Sequence, residues 1–483
     1  MSKSKANRGH SQSRAHSKRE PQSAAKAATN DAKDATTNAT NNVGRRKFLT
    51  LGLGGAGALA AAGVAIYGYK AGWFNAAPPA PATAATPAAN LATGKPLPPV
   101  TLPADYQNAL RSADEIVSHY SRELNLPTTL IHAVRAFGKN FTLNDGSKAV
   151  DYLCDRFAAD REVNGRRYVY FPREHETHDN SFLKTMLEAG VSPDQPIKAG
   201  AAKYTLRDLG EGAKALFRCD PQNLARYDAS LIHQHLPWGL IAFSILVPPS
   251  NAVWSNAYGE TINLPETINS SLAVFESTCA GVGEAVARGE DEPLEFRKVI
   301  GKYSCDGMHL VYGFFSCLNH GYTNNKLQDR LNKLLDSVLY RMKGDVLATD
   351  REAAESARSV GPEQLRRIAV QQEGGKIASN GPPPPNLIEM ERVRTQIRML
   401  GHAMEAINYI RLHKLFTLTA EQLTRLRAGE QSLYEYLVKM RAIDLGPFMR
   451  WYPKSVANVV IAVAHASRAL KLLTPDNPDT TAS

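Results

Sequence analysis

Cysteine is scarce in this chain, five in 483 residues, and none stands near the apolar run that begins at Phe48. A lipid anchor on a cysteine beside a leader is therefore not expected. The chain has no C-x-x-C-H, no G-x-S-x-G, no P-loop and no G-x-G-x-x-G after a strand-like segment, so covalently bound haem, serine-hydrolase and nucleotide readings lack support. Charge is missing where a nucleic-acid partner would need it. Residues 1–47 hold eleven Lys and Arg against three acids, so +8 of the formal net charge of +10 lies there. The remainder is nearly neutral and supplies no basic face by composition.

Residues 1–43 also lack large apolar side chains; they cannot bury enough surface to offset their ordering entropy and read as a disordered polar segment. The run Gly44-Arg45-Arg46-Lys47-Phe48-Leu49-Thr50, followed by a weakly apolar Gly/Ala-rich stretch to Tyr69, resembles a twin-arginine export signal over residues 44–75. It departs from that pattern at Gly44, where Ser or Thr is usual, and at Thr50, where Lys is common. The resemblance implies export of an already folded protein by the twin-arginine translocase to the periplasm or cell exterior. Membrane contact then runs only through an uncleaved signal. Residues 76–104, rich in Pro and Ala, read as an extended tether, with A-x-A cleavage points at Ala80-Pro81-Ala82 and Ala82-Thr83-Ala84.

From 105 to 473 the apolar periodicity is helical almost throughout. Helices are expected over 106–124, 128–138, 148–159, 181–189, 205–217, 230–247, 264–288, 304–320, 326–342, 387–413, 420–441 and 454–473. Asn164-Gly165 between Val163 and the run to Phe171 predicts one type I′ hairpin. A polar insertion is expected at 344–386 and a disordered tail at 474–483. Within the helices a repeat emerges: His132-Ala-Val-Arg-Ala136-Phe137, His235-Leu-Pro-Trp-Gly239-Leu240, His309-Leu-Val-Tyr-Gly313-Phe314, His402-Ala-Met-Glu-Ala406-Ile407 and His465-Ala-Ser-Arg-Ala469-Leu470. Each has a small residue one turn after the histidine, which lets a neighbouring helix approach. With His178 as a degenerate sixth copy, the pattern predicts an all-α fold of stacked hairpins, an α/α toroid of about six inner and six outer helices.

Chemistry-bearing residues are densest in Cys305-Asp306-Gly307-Met308-His309 and Cys317-Leu318-Asn319-His320-Gly321-Tyr322. Cys and His suit zinc or copper, and Cys305 with His309, supplemented by His233 and His235, forms the expected metal set. On one continuous helix, Cys305 and His320 would stand about 22 Å apart, too far to share an ion. Asn319-His320-Gly321-Tyr322 resembles the Asn, His and Tyr set of some α/α-toroid polysaccharide lyases, which implies catalytic roles for His309, His320 and Tyr322. The cluster Glu174-His175-Glu176-Thr177-His178-Asp179 lacks the zincin spacing and reads as a solvated helix start, with acid/base work as the alternative. Three functions are compatible with these features: an envelope enzyme acting on an extended polysaccharide in an axial cavity, an exported zinc or copper protein loaded in the cytoplasm, and a non-catalytic envelope scaffold.

Overall fold

The computed structural model describes residues 104–218, 233–290, 297, 299–361, 363, 364, 366, 367 and 383–479. The export signal, residues 76–103 of the expected tether and Cys219 lie outside the described residues. So do residues 362, 365 and 368–382 of the expected insertion and the last four of the tail.

The described chain is mostly helical. Helices α1 (Ala104–Leu124), α2 (Pro127–Phe137) and α3 (Ala149–Arg156) lead into the hairpin β1 (Ala159–Val163) and β2 (Arg166–Tyr170). Asn164 and Gly165 turn it with φ of 51° and 77°, as a type I′ turn requires. Next come α4 (Arg173–Glu176), α5 (Ser181–Glu188), the hairpin β3 (Pro196–Ala199) and β4 (Ala202–Thr205), α6 (Leu206–Leu216) and α7 (Leu236–Leu246). A third hairpin, β5 (Val253–Ser255) and β6 (Thr261–Asn263), precedes α8 (Leu264–Ala287), α9 (Met308–Asn319) and α10 (Leu327–Ser359). Helices α11 (Leu387–Leu412), α12 (Ala420–Ala442), α13 (Gly446–Trp451) and α14 (Pro453–Lys471) complete the series.

All three hairpins are antiparallel. The single-hairpin expectation is therefore corrected: β3–β4 and β5–β6 are strands of three or four residues, too short to carry a readable alternation. The expected helix over 304–320 is also broken. Cys305, Asp306 and Gly307 take φ of 48°, 53° and 81°, so the α-helix starts only at Met308. Helix α10 continues to Ser359, through the first part of the expected insertion, burying Gly344, Asp345, Ala348 and Thr349.

Helices α11 and α14 are buried nearly all round and form the centre of the core. They pack on each other; α14 packs on α2, α11 on α9, α9 on α7, α7 on α5 and α5 on α2. Small residues set the closeness. A Cβ on Gly401 would come within 3.1–3.2 Å of the Ala466 backbone, and one on Gly313 within 3.2 Å of the Pro237 carbonyl oxygen. Gly401 and Ala466 immediately adjoin His402 and His465, so this backbone approach brings the two imidazoles together.

Candidate metal centre

Four of the five repeated histidines meet in the core. His309 Nε2 lies 3.1 Å from His402 Nε2, with ring centroids 4.5 Å apart and planes at 90°. Two nitrogens bound to one tetrahedral zinc, with bonds of 2.0–2.1 Å, stand about 3.3 Å apart. Cys305 joins them: its sulfur and the nitrogens of His309 and His402 all lie within 4.8 Å of one another. His309 and His402 are 4% and 2% exposed, and Cys305 is partly exposed. His465 stacks on His402 with centroids 3.8 Å apart, and His132 lies 5.2 Å from His465.

The donors are held by a second layer. His402 Nδ1 donates to the Arg398 carbonyl, one turn back on α11. Asp306 accepts from Arg398 Nη2 at 3.0 Å, which fastens the left-handed turn that aims Cys305 inward. Two successive non-glycine residues in that conformation cost about 1–2 kcal/mol each, and such strain concentrates at functional sites. Gly307 completes the turn beneath Phe275, where a Cβ would stand 2.6 Å from the ring.

Burial pushes the Cys305 thiol up, but the neighbouring His402 and Arg398 charges outweigh it and hold the thiol below its ordinary value. Burial likewise works against a proton on His402, yet the charge and hydrogen bond of Cys305 raise His402 above the usual imidazole value. Each group thus favours the charged form of the other, and a cation bound there would displace protons from both. His309 is driven well below the usual value by burial, then by the charges of His402 and His465. It therefore presents a neutral nitrogen.

One turn beyond the histidines lies a buried charged layer. Arg135, Tyr312, Glu405 and Arg468 each stand three residues after a histidine of the repeat. Glu405 Oε1 meets Arg135 Nη2 at 2.6 Å and Arg468 Nη1 at 2.8 Å, while Oε2 accepts from His465 Nδ1 at 2.8 Å. Glu188 pairs with Arg135 and with Lys184, and accepts from the Tyr312 hydroxyl at 2.6 Å. Arg468 reaches Asp479 at 2.6 Å. Sequence reasoning overlooked this layer, although the polar or aromatic residue at the third position after each histidine was its signal.

The other candidates lie elsewhere. His233 packs on Tyr303, with centroids 4.4 Å apart, and His235 accepts from the Asp179 backbone N–H at 3.0 Å. The structure thus groups His402, and neither His233 nor His235, with Cys305 and His309. His320 and Tyr322 stand beyond the far end of α9, about 16 Å along the helix from His309. His320 Nδ1 lies 2.8 Å from the Ser316 carbonyl oxygen, and the Tyr322 hydroxyl donates to that of Val247 at 2.7 Å. Cys154, Cys279 and Cys317 are buried free thiols.

The segment 174–179, which spans the end of α4 and the turn after it, is less solvated than expected: Glu176 is 6% exposed and accepts from the Phe182 N–H, starting α5. Asp179 takes two hydrogen bonds from Arg173, each 2.7 Å, and helps line a cleft of about 440 Å³ with Arg161, Tyr170 and Phe171. From this loop an aromatic series leads inward: His178 stacks on Trp238 at 4.1 Å, and Trp238 lies 4.5 Å from His309.

No protein-family model, no curated protein and no solved structure matches this chain. Among the described residues, no helix is long and apolar enough to cross a membrane.

Proposed function

We propose that this is an exported metal-binding protein whose ion, zinc or copper, is held by Cys305, His309 and His402 near the axis of an α/α toroid. The convergence of a strained cysteine turn and histidines from two helices onto one 4.8 Å group carries the reading. A thiolate with two imidazoles suits zinc with a position left for solvent or substrate, or copper in a trigonal His₂Cys arrangement. The second layer favours the same conclusion, because metal-ligating histidines generally donate their other ring nitrogen to a carbonyl or carboxylate.

Two observations favour the toroid. The contacts α2–α14–α11–α9–α7–α5, returning to α2, form a circuit. In addition, α2, α9, α11 and α14 each meet the centre with a histidine first and a charged or tyrosine side chain three residues later. Helices doing so run past the centre in the same direction, as inner helices of a toroid do. Export rests on Arg45-Arg46, and transport of a folded chain fits an ion loaded in the cytoplasm.

Metal analysis of the purified full-length chain tests the centre. The expected result is bound zinc or copper, or uptake of cobalt(II) with a thiolate charge-transfer band. Cys305→Ser removes the band, and His309→Gln and His402→Gln weaken affinity at least tenfold. A folded wild-type protein that neither holds nor takes up any of these metals overturns the reading. Export is tested separately: replacing Arg45 and Arg46 together by Lys leaves the precursor in the cytoplasm, and unchanged export refutes that part.

A further inference from the structure

We infer that His132 and His465 hold a second cation beside the one at Cys305, His309 and His402. The inference rests on that first centre and adds a site to it. His465 is 1% exposed, and its Nε2 has no hydrogen-bond partner among the described residues. Leaving such a buried polar atom unmatched costs about 1–3 kcal/mol. Its Nδ1 is already committed to Glu405, whose other oxygen is clamped by Arg135 and Arg468. The ring is therefore fixed with one bare nitrogen turned away from the carboxylate, the carboxylate–histidine arrangement that orients metal ligands.

His132 is built in the same way. Its Nδ1 lies 2.6 Å from the Thr128 carbonyl oxygen, one turn back on α2, which leaves Nε2 as its outward donor atom. The two ring centroids are 5.2 Å apart with planes at 69°. Imidazoles sharing one tetrahedral ion, with metal–nitrogen bonds of 2.0–2.1 Å, place their ring centres about 5 Å apart.

His465 also stands 5.0 Å from His309, with planes at 66°; its stacking on His402 assigns it to a second ion. Its ring lies over the face of His402, with centroids 3.8 Å apart and planes at 30°. An ion on His402 Nε2 lies in the plane of the His402 ring, and a side chain stacked over that face points past it. The two cations are then neighbours, each with positions left for solvent-derived ligands. Two imidazoles without thiolate suit a borderline divalent ion such as zinc or copper.

Cobalt(II) titration of the full-length chain, stripped with a chelator, tests the second site. Wild type is expected to bind two equivalents, one with the thiolate band and one without, and to show magnetic coupling between them. His132→Gln and His465→Gln, which keep approximate size and hydrogen-bonding capacity, each bind one equivalent and retain the band. A wild-type stoichiometry of one with the thiolate band overturns the second site and leaves the first standing, and a single equivalent without the band overturns the first centre and the pairing with it. No uptake by folded wild type refutes the first centre and the second with it. The wild-type stoichiometry decides even where a glutamine variant does not fold.

Discussion

At the scale of single residues, the centre depends on side chains whose replacement has large and separable costs. Gly307 combines a φ of 81° with a Cβ position 2.6 Å from Phe275. Gly307→Ala is expected to lose about 2–4 kcal/mol, from the left-handed strain and the overpacking together, and to displace Cys305 and weaken metal binding. Urea unfolding and cobalt titration of that variant measure the two effects, and a variant as stable as wild type contradicts the turn's role. Arg468 is 1% exposed at its side chain and serves Glu405 and Asp479. Arg468→Leu strips a buried charge from both, for an expected loss of about 3–5 kcal/mol. By contrast Arg207 meets Asp194 in the open, with side chains 66% and 79% exposed, and Arg207→Ala should change stability by less than about 1 kcal/mol. Equal losses in the two variants would show that burial does not govern these ion pairs.

At the scale of elements, small residues decide how near helices come, and this is where the sequence is most legible. Apolar periodicity marks α11 at 387–413 and α14 at 454–473, within two residues of Leu387–Leu412 and Pro453–Lys471 at each end. The residue one turn after each histidine points to close packing, as Gly313 against Pro237 bears out. Spacing along the chain could not reveal that Cys305 meets His402, because a tight left-handed turn and a separate helix bring them together. The break between Ser304–Gly307 and α9 did have a signal in the turn dipeptide Asp306-Gly307, since Asp and Gly both accept positive φ, whereas Cys305 gives no such sign. Two glycine replacements test the packing argument. Gly401→Ala drives a methyl against Ala466 at 3.1–3.2 Å and should cost about 1–3 kcal/mol. Gly283→Ala on α8 meets nothing within 4 Å and should stabilise by about 0.5–1 kcal/mol through helix propensity. The signs are opposite, and thermal unfolding of the pair reads them directly.

At the scale of the whole molecule, burying so many imidazoles makes stability depend on pH. Burial is the largest cause holding His132, His178 and His413 at about 4, and His309 and His465 well below the usual value. The unfolded chain takes protons on these groups below about pH 6.5 while the folded protein does not, so stability falls as pH drops from there toward 4. His132 alone withdraws about 3 kcal/mol across that window. Some groups oppose the trend. Cys305 raises His402 against its burial, and burial raises Asp479 to about 6, so both favour the folded state as pH falls. Glu405 joins the histidines: against burial, Arg135 and Arg468 hold it below the usual carboxylate value, and its contribution disappears as acid protonates it. The lowered histidines outnumber the opposing groups, so the urea midpoint is expected to fall steadily between pH 7 and 4.5. Zinc should raise that midpoint at pH 7, by about 2.7 kcal/mol of stability at a hundredfold excess over its dissociation constant. It should have little effect at pH 4.5, where protons compete for the thiolate and imidazoles. A midpoint independent of pH would contradict the burial of neutral histidines. A zinc effect of equal size at pH 7 and 4.5 would show that the ion binds through groups other than Cys305, His309 and His402.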